Sequence, residues 1–168
     1  EYPLGKEALE IDEDGKALTR IAIQDGEEEA TVVAQTEDGR LLLTHFAKEE
    51  SFTDDAPELE RDQIVISLAD QSATQPEIMQ LLLDREQRNL YIIYADGGLI
   101  HLDVSNKSEP RQVQQLHLTD AGLQITSVQF LTGDLSLLVG DGSGRVVQWF
   151  RVSDERGNKT LKPIREFT

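Results

Sequence analysis

The chain has 168 residues, 38% apolar and 29% charged, and carries 32 acidic against 16 basic side chains, a net charge of −16 and no cysteine. That length suffices for one domain with a real core, and the lack of thiols excludes disulfides, zinc–thiolate sites and cysteine nucleophiles. The charge works against nucleic acid and anionic membrane surfaces, whose binding rests on Lys and Arg, and no apolar run reaches the roughly 18 residues of a membrane span.

The first residue is Glu1, no charged-then-apolar leader follows it, and the sequence reads as a piece of a longer chain. Residues 1–6, with Pro3 and Gly5, form an irregular lead-in. A short strand is expected over 8–11, a turn at Asp12-Glu13-Asp14-Gly15, and a strand over 17–23 whose apolar side comes from Leu18 and Ile21 to Ile23. After Asp25-Gly26 and the solvated acids Glu27 to Glu29, residues 30–35 and 40–47 form a hairpin with Asp38-Gly39 at its tip. An acidic loop insertion spans 48–61, then QIVISL over 63–68 reads as a β-branched strand.

The pattern then starts over. Residues 77–83 form a strand, although PEIMQLLLDREQ also has a helical reading. Residues 90–95 and 99–104 make a second hairpin around Asp96-Gly97-Gly98, and 112–118 alternates as a strand. A strand over 124–131 leads into a third hairpin, LSLLVGDGSGRVVQWFRV over 135–152, and 161–167 is the last strand after a loop over 153–159. TVVAQTEDGRLLLTHF, LYIIYADGGLIHLDV and the third hairpin follow one template, an apolar run, a tip of small turn-forming residues, and a second apolar run.

Self-similarity at a period of roughly 45–60 residues is the range of propeller blades. Each period reads strand, two-stranded hairpin, fourth strand, over 16–69, 76–118 and 122–168. The expected fold is all-β, a β-propeller-like array of three four-stranded antiparallel blades. Propellers close with four to eight blades, so the expectation is a piece of a larger propeller, with a short open array whose end faces are covered by something else as the alternative.

Little in the sequence carries chemistry. His45 and His101 stand a few residues into the third strand of copies one and two, where copy three has Gln148, and His117 lies elsewhere. Without a third ligand at suitable spacing they read as strand residues on a half-exposed face. Asp12, Asp14 and Gly15 resemble the start of a calcium loop, but its twelfth position is Ile23, not Glu. Asp141, Ser143 and Gly144 lack flanking ligands, and Gly140, Gly142 and Gly144 precede a strand instead of the helix of a dinucleotide site. Ser51 and Ser67 sit in no nucleophile elbow. No catalytic, metal or cofactor-binding residue is therefore assigned, and no enzyme activity is expected. Trp149 and Phe150 point to opposite faces of their strand, one between blades and one outward. Arg40 and Arg145 follow the first and third tips as turn-capping cations, with Leu99 in copy two.

The closing third, LTDAGLQITSVQFLTGDLSLLVG followed by GDGSGRVVQWFRVSDERGNKTLKPIREF, resembles the extracytoplasmic segment of proteobacterial phosphate-type ABC-transporter permeases with an enlarged first subunit. In that family a WD-repeat-like insertion separates the first transmembrane helix from the rest, although no Trp-Asp dipeptide ends the strands here. The resemblance implies a non-catalytic domain on the periplasmic side of the inner membrane, in a phosphate-uptake system. Its implied partners are other permease subunits and the periplasmic phosphate-binding protein, with membrane contact through flanking transmembrane segments. The negative charge works against phosphate binding by the domain itself. The rival expectations are a ligand-binding or enzymatic propeller completed by further blades, and an assembly scaffold outside transport.

Overall fold

The computed structural model of the protein describes residues 10–48, 59–68, 76–131, 133–153 and 159–167. These residues form twelve strands: β1 (Leu18–Asp25), β2 (Glu29–Thr36), β3 (Leu41–Lys48), β4 (Leu59–Val65), β5 (Ile78–Leu83), β6 (Asn89–Tyr94), β7 (Gly98–Asp103), β8 (Arg111–His117), β9 (Ile125–Phe130), β10 (Ser136–Asp141), β11 (Val146–Ser153) and β12 (Lys159–Phe167). They make three four-stranded antiparallel meanders, β1–β4, β5–β8 and β9–β12, each in chain order. The segment over 78–83 is a strand and not a helix, because Ile78, Leu81 and Leu83 are all buried against the neighbouring sheet.

The three hairpin tips share one geometry. The amide of a glycine in the left-handed region bonds the carbonyl three residues back: Gly39 to Thr36 at 2.9 Å, Gly97 to Tyr94 at 3.1 Å, and Gly144 to Asp141 at 3.1 Å. Their φ values are +89°, +96° and +88°, the turn-plus-αL arrangement that closes short hairpin loops. The residues that follow are Arg40, Gly98 and Arg145, so the counterpart of the two arginines in copy two is Gly98, and Leu99 is one step further along.

Period-two alternation then decides what each strand buries. In sheet two, Ile92, Ile100 and Leu102 point to sheet one, while Tyr91, Ile93 and Leu99 point to sheet three. One core cluster joins Val33, Leu41 and Leu43 of sheet one to sheet two. A second joins sheet two to Val128, Leu137, Val139, Val147 and Trp149 of sheet three. Trp149 is buried between blades, and Phe150 is half-buried on the opposite face.

Polar side chains bolt the sheets together. Arg20 Nε and Gln24 Nε2 on β1 donate to the carbonyls of Met79 (3.0 Å) and Leu83 (3.1 Å) on β5. Gln114 on β8 clamps Leu161 on β12, donating to its carbonyl at 3.1 Å and accepting from its amide at 2.8 Å.

Several expectations shift. The fourth strand of sheet one begins at Leu59 and ends at Val65, so the end of the 48–61 insertion is strand, with Glu60, Arg61 and Asp62 paired to Ala47, Phe46 and His45. An edge strand with a solvated face accepts such charges. The middle of that insertion, the lead-in over 1–6, the first half of the expected 8–11 strand and the loop over 154–158 lie outside the described residues, and Glu10 and Ile11, which are described, are not in a strand. Leu18, Ile21 and Ile23 do not form a buried side of β1: they are among the exposed large apolar residues, and Ala22 makes the contact with the core.

The tips give a direct comparison. A Cβ on Gly144 meets nothing within 4 Å, whereas one on Gly97 falls inside contact distance of Thr119 Oγ1. Gly144→Ala is expected to cost about 1–2 kcal/mol for left-handed backbone alone, and Gly97→Ala clearly more, as read by urea denaturation of the two variants side by side.

Candidate functional site

Lining up the three tips by their left-handed glycines shows which residues correspond. His101 stands four positions after Gly97, and Gln148 four after Gly144, but Leu43 occupies that place in sheet one; His45 is two residues further on. The two histidines therefore sit in different interfaces and do not converge. His45 Nδ1 lies 3.2 Å from Thr31 Oγ1, which donates to Gln87 Oε1 at 2.6 Å between sheets one and two. His117 is exposed. His101 is not half-exposed as expected but 1% exposed. Among the described residues no group of three His, Asp or Glu side chains could hold a metal ion, and no helix is long and apolar enough to cross a membrane.

The aspartates at the tips are occupied by turn chemistry. Asp141 Oδ1 accepts from the amide (2.9 Å) and hydroxyl (2.6 Å) of Ser143, and its other oxygen pairs with Arg145 Nε at 3.1 Å. The Ser143 bond, with Arg145 behind it, holds the Asp141 carboxyl below the usual range. At the first tip Thr36 and Arg40 do the same to Asp38. Arg40 also reaches Asp12 at 3.2 Å and Asp14 at 3.0 Å, so the calcium-like Asp12 is a buried ion-pair partner.

The structure brings a different set together. Between sheets two and three opens a cleft of about 680 Å³ lined by Glu86, Arg88 and Asn89 from the β5–β6 turn and the start of β6, His101 and Asp103 from β7, Ser105 from the β7–β8 loop, Arg111, Gln112 and Val113 on β8, Arg151 on β11, and Lys159 and Thr160 on β12. Four cations face two carboxylates there. The smaller cleft between the outer strands of sheets one and two, about 380 Å³, is lined by residues such as Ile64, Ile66, Leu102, Pro110 and Gln112, with no charged side chain among them.

Arg151 reaches the cleft because it shares the face of Val147 and Trp149. Its side chain is 9% exposed and lies 3.5 Å from Asp84, itself 2% exposed. Asp84 is otherwise engaged by the amides of Arg88 (2.8 Å) and Asn89 (2.9 Å) and by the Asn89 side-chain amide. Arg151 Nε has no hydrogen-bond partner. His101 Nε2 stands 2.9 Å from Asn89 Oδ1. Since Asn89 uses its NH₂ on Asp84, its oxygen faces the ring, so His101 Nε2 carries the proton and Nδ1 is an acceptor, also without a partner. The ring stacks on Tyr91 with centroids 4.5 Å apart. Burial, then Arg151, pulls the His101 pKa down to about 4 against the opposing pull of Asp84 and Asp103, and burial pushes the Tyr91 hydroxyl up to about 12. Asp103 is held low first by Ser105 and then by Arg111, 3.2 Å away. None of these cleft residues except His101 stood out in the sequence; the signal available for Arg151 was its two-residue offset from Trp149.

No protein-family model and no curated protein matches the chain. Solved structures do. The chain is similar to the β-propeller domain of Cps50 (Swd1) from Myceliophteria thermophila, with 12% identity and a TM-score of 0.51 over 82% of this chain and 43% of that one. It is also similar to KlHsv2 with loop 6CD replaced by a Gly-Ser linker, with 11% identity and a TM-score of 0.58 over 91% of this chain and 46% of that one. The three stacked meanders and these likenesses define a β-propeller, WD-repeat-like fold. The chain spans less than half the length of these propeller chains.

His101 has a titration consequence. As pH falls from 7, the unfolded chain takes up a proton near the ordinary 6.5 while the folded chain resists to about 4, so stability contributed above pH 6.5 is progressively lost down to pH 4. The loss by pH 5 is about 2 kcal/mol. His101→Gln, the residue that sheet three uses at the corresponding place, is expected to flatten the pH 7-to-5 stability slope by that amount in urea titrations.

Proposed function

We propose that the chain is a non-catalytic, protein-interacting section of a larger β-propeller, and that this propeller is the periplasmic domain of an inner-membrane ABC-transporter permease for phosphate uptake. The observation that carries the first half is the contrast between equivalent faces of first strands. On β5 of sheet two, Leu81 and Leu83 are 4% and 3% exposed because sheet one packs on them, whereas on β1 of sheet one Ile21 and Ile23 are 50% and 56% exposed. At the other end, Leu138, Val146, Phe150 and Val152 of sheet three are only half-buried. On sheet one the uncovered part of that face is its β1 edge, since Val32 and Ala34 beside Ile23 and Ile21 are already buried; exposed apolar strands of this kind need a cover, and the occupant is a further four-stranded blade at each end. The share of the matched propellers that the chain spans supports this. The transporter half rests on the resemblance of residues 118–167 to the permease segment, and the loops between strands are the surfaces offered to other permease subunits and to the phosphate-binding protein. A ligand-binding propeller is the second reading, favoured by the cation-lined cleft.

The two halves have separate tests. Ile23→Glu is expected to be within about 0.5 kcal/mol of neutral in the 168-residue chain but to destabilise the full-length protein by several-fold more, by denaturant or protease challenge; equal, small effects in both reject the flanking blade. Full-length protein in detergent is expected to capture the phosphate-binding protein of the same cell. No association at high micromolar concentration, or a gene without apolar spans on both sides of this segment, rejects the transporter.

A further inference from the structure

We propose that the cleft between sheets two and three is an oxyanion-binding site, taking an organic ligand that bears a carboxylate or phosphate group. The case begins with charge. In a chain of net charge −16, a quarter of the sixteen Lys and Arg residues, Arg88, Arg111, Arg151 and Lys159, line this one cleft. Asp103 spends its charge on Arg111, and the other lining carboxylate is Glu86. A wall that reverses the sign of the whole molecule concentrates anions where the remaining surface repels them.

The floor is built and incompletely satisfied. Arg151 is nine-tenths buried, Asp84 holds it from one side through Nη1 at 3.5 Å, and its Nε, enclosed by the protein, has no hydrogen-bond partner. Buried donors are costly to leave unpaired, and a guanidinium edge offers parallel N–H groups that match two oxygens of a carboxylate or phosphate. Asp84 has its own oxygens engaged by Arg88 and Asn89 amides, so it orients Arg151 without closing that edge. Beside it His101, kept neutral at physiological pH by its burial, holds Nδ1 as a hydrogen-bond acceptor without a partner. At the rim Arg88, Arg111 and Lys159 are exposed and able to close on a second charge. The cleft volume of about 680 Å³ falls in the usual range of small-molecule sites and exceeds what a single inorganic anion fills, with Val113 offering apolar wall. The proposal does not depend on the transporter reading.

Calorimetry of the 168-residue chain with citrate and, separately, with inorganic phosphate tests it, alongside the imidazole ¹⁵N signals of His101. Saturable binding of either anion that shifts His101 is expected, and which anion binds more tightly assigns carboxylate or phosphate chemistry. Arg151→Gln is expected to weaken binding at least tenfold. Because loss of Arg151 strands Asp84 and can unfold the chain, the rim pair Arg88→Gln/Lys159→Gln, expected to weaken binding several-fold and to raise less salt sensitivity, serves as the independent variant. Arg145→Gln, at a hairpin tip, is expected to leave affinity unchanged. Absence of binding tighter than about 10 mM for both anions, or binding that the rim pair leaves unaltered, overturns the proposal.

Discussion

Sheet two packs against a neighbouring sheet on each of its faces, and the rest of the structure depends on that double burial. Leu90, Ile92, Ile93, Leu99 and Val104 are all 0% exposed, and alternate residues of β6 and β7 feed two separate cores. Each fully buried aliphatic side chain contributes about 1.5–3 kcal/mol, so the middle sheet supplies both interfaces that hold its neighbours. Sheet one buries Val32, Ala34, Leu42 and Phe46 on its other face as well, whereas sheet three leaves Leu138, Phe150 and Val152 half-buried on its own.

Apolar burial says nothing about register between sheets, and here directional bonds supply it. The donors of β1 bind carbonyls of β5, and Gln114 binds both backbone groups of Leu161. Such bonds use backbone groups at sheet positions that the neighbouring sheet's ladder leaves free, which is why they satisfy polar atoms that apolar stacking would strand. They fix one stagger among the several that interdigitating Leu, Ile and Val side chains tolerate. The Thr31–Gln87 hydroxyl–amide contact plays the same part inside the first interface.

The repeat was legible because it is local. Turn glycines and period-two apolar runs are written within about ten residues, and all three hairpins and their order can be read from them. Faces were less legible. Ile21 and Ile23 have the composition of core residues, yet they lie exposed at the β1 edge of a face whose paired residues Ala34 and Val32 are buried. The charged start of β4 reads as loop because its side chains are solvated, while its backbone completes the ladder to β3. The cleft was the least legible feature. Arg88, Arg111, Arg151 and Lys159 come from two sheets and spread from position 88 to position 159, so no short window of sequence contains them, and blade stacking alone assembles them. His101 and His45 failed in the opposite sense: a two-residue difference in offset from the tip sends them to different interfaces, a distinction that the left-handed glycines make countable only once their φ values are known.

Net charge and local charge give different instructions here, and the scale over which each acts decides between them. At physiological ionic strength a surface charge is screened beyond about 8 Å, so the scattered acids of a strongly acidic chain do not reach into an inter-blade cleft with their full effect. Inside it the nearest groups dominate. Arg151 is held within 3.5 Å of Asp84, and the same proximity that neutralises it in the free protein keeps it from swinging into solvent. An arginine that is buried, oriented and only half hydrogen-bonded is a different object from Arg40 or Arg145, each of which is spent on two or more carboxylates at a tip. Equal formal charges thus serve opposite ends, at the tips to stiffen turns and in the cleft to leave a buried donor without a partner, and what separates them is the number of carboxylates that the fold places within reach.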